Sequence, residues 1–286
     1  MHKTKLREAF EAHLYENNTV GSGKASSYLK SLEWLSKMLA FESYGFDDCT
    51  DIWGIQSIAR IHALRERVLE EKQKRDTSPW VNDQIPVSYL RDGYCSSALT
   101  EIIQYIPEFE HIQRVMETHN RYADDSELAD KLNFEPDIPN GYVQDPNSKD
   151  GQDRIREAKV RIGQAAFRKM ILSNYQNRCC MTGLDIPTLN RASHIIGWAD
   201  PKGKKIRMDP CNGLCLSATY DAAFDKHLVS LDEDHRIILS KDIKEHYTSK
   251  SVQIHFKSKE GHAITLPDSS HPKQSYLEVH RSKGDF

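Results

Sequence analysis

One histidine and two aspartates stand where they could do hydrolytic chemistry. His194 lies in a short apolar run, Leu189 to Trp198, and Asp221 and Asp225 follow a second one, Gly213 to Leu216. Runs of this length, the first punctuated by Gly197, suit strands better than helices. Ser217 is then a fair N-cap for a helix from Ala218 to Lys226, because its hydroxyl can accept a hydrogen bond from an orphan amide of the first turn. On that helix Asp221 and Asp225 are four residues apart and share a face. Adjacent carboxylates repel unless a cation sits between them. The pair is therefore a candidate seat for Mg2+ or Mn2+, which favour oxygen ligands and keep several waters. An imidazole titrating at about pH 6.5 can take a proton from a water at neutral pH. A divalent ion can stabilise the charge that builds on a phosphorane and on a leaving 3′ oxygen. Taken singly, each residue has a plainer account: a histidine in an apolar strand fits a core, and an i,i+4 aspartate pair fits a solvated helix face.

Taken together, the order Arg191-Ala192-Ser193-His194-Ile195-Ile196, then Asn212-Gly213-Leu214, then Asp221-Ala222-Ala223-Phe224-Asp225 resembles the HNH endonuclease family. The resemblance implies a ββα-metal fold: strand, loop, second strand and short helix holding one metal ion against a histidine general base. It implies that His194 takes the proton of the attacking water and that Asn212 holds and orients the loop of the base. Asp221 then stands as the third residue of the motif and a metal ligand, with Asp225 a further ligand one helical turn on. Ser193 falls where many members carry an Asp or His ligand, which leaves open whether it binds the metal weakly, through water, or not at all. The lead-in, Arg161-Ile162-Gly163-Gln164, Phe167-Arg168 and Tyr175, is similar to that of HNH domains in restriction endonucleases, and extends the resemblance over about residues 153 to 240.

Zinc-containing members of that family carry two Cys-x-x-Cys pairs. Here Cys180 is followed by Gly183, and the second pair falls on Ser217 and Tyr220. Four thiolates cannot be assembled at those positions, so no structural zinc is expected. Cys179, Cys211 and Cys215 have the wrong spacing to replace them and suit buried free thiols.

The elements that must position these residues fall into an α+β architecture, an N-terminal helical domain followed by a C-terminal ββα-metal nuclease domain. Residues 1–120 read as amphipathic helices: Leu6, Phe10 and Leu14 on the first, Tyr28, Leu32, Leu35, Met38 and Leu39 on one from Ala25 to Phe41, and Ile58, Ile61, Leu64, Val68 and Leu69 on a third. Two more are expected at Val87 to Tyr105 and Glu108 to Asn120. The tract Gly23 to Leu39, with Tyr28 and Trp34, resembles the helical arm domains of phage-type integrases, which would imply DNA recognition; a bundle with its aromatics in the core explains the same tract. Residues 121–150 are acidic and broken by Pro136, Pro139 and Pro146, as in a linker. Residues 151–245 form the expected nuclease domain, closed by a hairpin of Leu228 to Leu231 with Arg236 to Leu239. Residues 246–286 form a polar extension with one possible strand, Val252 to Phe256, and solvent histidines at 246, 255, 262, 271 and 280.

A net charge of -3 over 286 residues excludes a uniformly basic DNA coat, so a nucleic-acid face must be local. Arg154, Arg161, Arg168 and Lys169 on the lead-in helix and Lys202, Lys204, Lys205 and Arg207 in the loop after His194 are the candidates for phosphate contact. The expected partner is double-stranded DNA, and cutting both strands with one site per chain is easiest for a homodimer. Six cysteines and no apolar leader or membrane span point to a reducing bacterial cytoplasm, in a bacterial or phage-encoded protein. The resemblance implies a restriction or anti-phage endonuclease. A catalytically decayed HNH module that only binds DNA and an RNase effector are the alternatives that the same residues leave open.

Overall fold

The computed structural model describes every residue except Met1, Gln56 and Asp124. The chain divides into two compact units, Met1–His111 with Pro136–Val160, and Ile112–Glu135 with Arg161–Phe286. The compositional boundary expected at 121–150 is thus shared out between the units instead of forming a separate stretch.

In the first unit, α1 (His2–Glu16), α2 (Lys24–Phe41) and α3 (Ile58–Lys74) are held by the stripes read from their spacing. Phe10, Leu14, Leu35, Met38, Ile61 and Leu64 are all buried in one core. The Ser57 hydroxyl caps α3 by accepting from the Arg60 amide at 3.3 Å. Tyr28 and Trp34 lean on this core as partly buried residues. After α4 (Ser88–Arg91), the two helices expected up to Asn120 are one, α5 (Tyr94–Arg121), which runs through Pro107. A mid-helix proline costs about 3 kcal/mol. Ile103, Ile106 and Phe109 are buried on both sides of it, each contributing roughly 1.5–3 kcal/mol, and that keeps the helix going. Within 121–150 a short helix, α6 (Leu128–Leu132), buries Leu128 and Leu132.

The helix α7 (Lys149–Asn174), longer at both ends than its charge pattern suggested, gives residues 161–174 to the second unit, which is built on them. Its Ile162, Phe167, Met170 and Ile171 are buried, and Phe167 and Ile171 lie against the turn into the hairpin of β1 (Asn190–His194) and β2 (Gly213–Ser217). The strands are antiparallel, with His194 opposite Gly213 and Asn190 opposite Ser217. A Cβ at position 213 would overlap Ile171 Cδ1 and stand 2.8 Å from Phe167 Cζ, so glycine lets β2 come this close to α7. All of β2 is buried, whereas in β1 only Asn190 and Ser193 are.

The helix α8 (Ala218–Asp225) follows at once, and Ser217 occupies its N-cap position without a side-chain cap bond, contrary to the sequence expectation. Then come β3 (Val229–Leu231) and β4 (Ile237–Leu239), paired antiparallel as expected. The tail departs most from its sequence. After α9 (Lys241–Glu245), the residues expected as a strand form α10 (Lys250–His255), which has no fully buried residue and only leans Val252 on the core. The stretch 261–265 pairs along the nuclease domain, with Ile237 N donating to His262 O at 2.9 Å and Thr265 N to Cys180 O at 2.9 Å. Finally α11 (Gln274–Arg281) buries Leu277 and His280 at i,i+3. His280 is therefore a core residue and not a solvent histidine. None of the described helices is long and apolar enough to cross a membrane.

Candidate active site

At the end of β1, His194 and the buried Ser193 before it both line a cleft of about 420 Å3. The cleft is also lined by Arg191, Trp198, Asp221 and Asp225. The imidazole is stacked on Phe167, with centroids 3.7 Å apart and planes at 14°, and meets Trp198 edge-on at 5.5 Å. His194 Nε2 lies 3.0 Å from the Arg207 carbonyl oxygen. A carbonyl only accepts, so Nε2 carries the proton and Nδ1 keeps its lone pair. Burial is the main influence on the ring and pushes its pKa down to about 4, against the Arg207 carbonyl, which favours the protonated form. The ring is neutral at pH 7 and able to accept a proton.

The loop that supplies this carbonyl is tied together by Asn212, which has no exposed surface. Its Oδ1 accepts from Ile196 N at 2.8 Å, while its Nδ2 donates to Ile196 O at 3.2 Å and Ile206 O at 3.3 Å. Ile195 N in turn donates to Asn212 O at 2.9 Å. One buried amide therefore fixes both ends of residues 196–206. It holds the segment that carries Trp198 and leads to Arg207.

Asp221 and Asp225 come from α8. Desolvation raises both carboxyl pKa values; Asp221 is relieved by the Ser193 hydroxyl and by Arg191 and Arg168, whereas Asp225 is raised further by the charge on Asp221. These are two carboxylates made uncomfortable by each other and by their surroundings, which is the condition that a cation relieves. Ser193 Oγ is buried, with the residue 2% exposed, and has no hydrogen-bond partner among the described residues, although it stands near enough to Asp221 to favour its ionised form. Among the described residues no three His, Cys, Asp or Glu side chains converge as a metal cluster. What the cleft offers is two carboxylates and one unpartnered hydroxyl. That donor set fits a divalent ion that binds oxygen and keeps most of its water. The thiols of Cys211 and Cys215 are pushed up to about 12 by burial, and that of Cys180 well above its ordinary value, so they stay protonated.

The cations named from sequence divide. Lys202, Lys204 and Lys205 are exposed and, among the described residues, make no ion pair. Arg161 and Lys169 are exposed on the part of α7 in the second unit, and Arg154 is exposed on the part in the first. Arg168 differs from the expectation of a phosphate ligand: its Nη1 donates to Asn190 O at 2.7 Å and its Nη2 to Pro187 O at 3.0 Å, so it staples β1 to α7. Arg207 Nε donates to Trp198 O at 3.0 Å and the guanidinium lies 5.0 Å above the indole. Arg191 was missed as a cleft residue. Its Nη1 donates to Thr188 O at 3.0 Å and Asn190 O at 3.1 Å, and its charge acts on Asp221.

The tail supports α8 and the loop before β2 with contacts that no motif announces. His280 Nε2 is 2.9 Å from Phe224 O at the end of α8 and 3.1 Å from His227 Nδ1, while its Nδ1 is 2.8 Å from Ser230 Oγ. The ring stacks on Phe224 at 3.7 Å, and burial pushes its pKa down to about 4. Asp209, buried in the loop before β2, accepts from Lys273 Nζ at 2.9 Å and Tyr276 OH at 2.8 Å. Only the i,i+3 pair Leu277 and His280 could have signalled α11, and one such pair is too common to do so.

A histidine on the first strand of a hairpin, facing an acidic pair on the helix that follows it, defines a ββα nuclease domain. Residues 179–232 match the family model described as HNH endonuclease, which marks an HNH endonuclease domain in the second unit and supports a nuclease hydrolase. No curated protein matches the chain.

Proposed function

We propose that the protein is a divalent-metal-dependent DNA endonuclease serving restriction or anti-phage defence, with His194 as its general base. The observation that carries this reading is the fixed tautomer of His194: Nε2–H rests on the Arg207 carbonyl, and Nδ1 is left as a base in the cleft that Asp221 and Asp225 share. Nδ1 takes a proton from a water, the water oxygen attacks the phosphorus, and the 3′ oxygen departs with the bonding pair. An incoming phosphodiester also brings negative charge beside the ring and raises its pKa toward the working range. Asp221 and Asp225 would hold Mg2+ or Mn2+, with Ser193 bound directly or through water. The ion supplies stabilisation of the charge on the phosphorane and the leaving oxygen. Asn212 keeps the Arg207 carbonyl in place, and Lys202, Lys204 and Lys205 meet flanking phosphates of double-stranded DNA.

The six thiols, none in a disulfide, suit the reducing cytoplasm of a bacterium, and one cleft per chain suits a homodimer for cutting both strands. A second reading, a DNA-binding module that no longer turns over, is favoured by Ser193 in place of an Asp or His ligand.

The deciding experiment is cleavage of supercoiled plasmid, modified and unmodified, with Mg2+ or Mn2+, comparing the wild type with His194→Ala. Cutting by the wild type, slowed at least ~100-fold in the variant, supports the general base. Plasmid binding without cutting by either protein supports the second reading, and preferential cleavage of RNA would replace DNA as the substrate.

A further inference from the structure

In the first unit a cleft of about 670 Å3 opens between the end of α3 and α4. Its floor is apolar, with Leu69, Val81 and Leu90, and its rim carries Lys72, Arg75 and Arg91 against one carboxylate, Asp76. The cations are poorly compensated. Lys72 is half-buried and, among the described residues, has no ion pair. Its ammonium stands 3.0 Å from where a Cβ on Gly93 would be, one residue before the start of the 28-residue α5. A helix start carries partial positive charge, so the ammonium sits where a cation is disfavoured and an anion would be welcome. Arg75 is exposed, is held at φ 52° and, among the described residues, makes no ion pair. Among the described residues Arg91 pairs only with its exposed neighbour Asp92, at 3.1 Å, a contact of about 0–1 kcal/mol that a stronger anion can replace.

We propose that this cleft binds a nucleotide-sized organic phosphate, its phosphates on Lys72, Arg75 and Arg91 and its planar body on Leu69, Val81 and Leu90. Lysine and arginine are the side chains that hold phosphate, and small-molecule sites have volumes of about 300–1,000 Å3 with apolar walls and a few convergent polar groups. The proposal is independent of the nuclease reading, because none of these residues belongs to the cleft around His194.

The test is calorimetric titration of the full chain, in EDTA, with ATP, with pyrophosphate and with adenosine. ATP should bind more tightly than either half. Lys72→Met and Arg75→Gln should each weaken it ~10-fold or more, the scale of one charge-assisted hydrogen bond, and His194→Ala should leave it unchanged. Thermal melts show whether each variant is folded, and either variant alone suffices. No binding of millimolar ATP, pyrophosphate binding as tightly as ATP, or ATP affinity unmoved in both folded variants would overturn the proposal. Failure to bind ATP together with weakened plasmid binding in the two variants would overturn it too, making the rim a DNA contact.

Discussion

His194 Nε2 and the carbonyl oxygen of Arg207 are 3.0 Å apart, and this one hydrogen bond decides which nitrogen of the ring can act as a base. It also links the imidazole to the lysine-bearing loop, since the acceptor lies at the loop's far end.

Burial depresses His194 and His280 to about 4 in the folded chain, against about 6.5 when unfolded. Between those values the unfolded chain binds more protons, so stability rises with pH, is fully present above about 6.5 and is lost as pH falls toward 4. The expected slope is up to ~1.4 kcal/mol per pH unit for each histidine. Urea melts across this range should show it, and His194→Phe should flatten it; a profile flat from neutrality to pH 4.5 would contradict the buried neutral rings.

The aspartate pair has the opposite sign. Because both carboxyls are raised in the fold, their contribution is present below the raised values and is lost as pH rises through them. At pH 7 their desolvation, with the charge of Asp221 acting on Asp225, costs stability that a cation should restore. Mg2+ or Mn2+ should therefore raise Tm in the wild type, by an amount set by RT ln(1 + [L]/Kd). Asp221→Asn and Asp225→Asn should melt no lower than the wild type without metal and gain little from it. An equal metal-induced rise in all three proteins would place the ion elsewhere.

Asn212→Ala removes three hydrogen bonds from a fully buried site and leaves the Ile196 amide without its acceptor. We expect a loss of about 1–3 kcal/mol from the unsatisfied groups. Because the Arg207 carbonyl is released as well, activity should fall by more than the folded fraction does. Plasmid cleavage scaled to the folded protein present tests this.

His280 is a positioning residue: it touches the end of α8 and not the cleft. His280→Ala should lower kcat with little change in KM and weaken Mn2+ binding, read by calorimetry in the absence of DNA. His280→Asn, which can still donate to Phe224 O, should recover part of both. Loss of stability without any change in kcat or Mn2+ affinity would make its role purely structural.

Much of the second unit was legible because its signals are local. The hairpin, α8 and the β3–β4 pair each follow from short apolar runs and turn residues, and the HNH order is carried by a few side chains of special chemistry. What was not legible depends on distant partners. Pro107 reads as a helix break until the burial of its neighbours is known. Val252 to Phe256 reads as a strand until it is clear that no sheet edge meets it. Arg168 reads as a phosphate ligand until two carbonyls are found on its guanidinium. His280 is one of several scattered histidines in the sequence, and only the fold selects it, by laying α11 along Phe224 and Ser230.

The clamp made by α11 bears on where this nuclease can be cut out and reused. The family motif ends at residue 232, and a fragment stopping at 245 would contain every side chain that faces the cleft. It would still lack the partners of Asp209, the imidazole beneath Phe224, and Lys283, whose ammonium is 2.9 Å from Asp200 in the lysine-bearing loop. The portable catalytic module is thus larger than its signature, and grafts or minimal versions need to extend at least through Lys283.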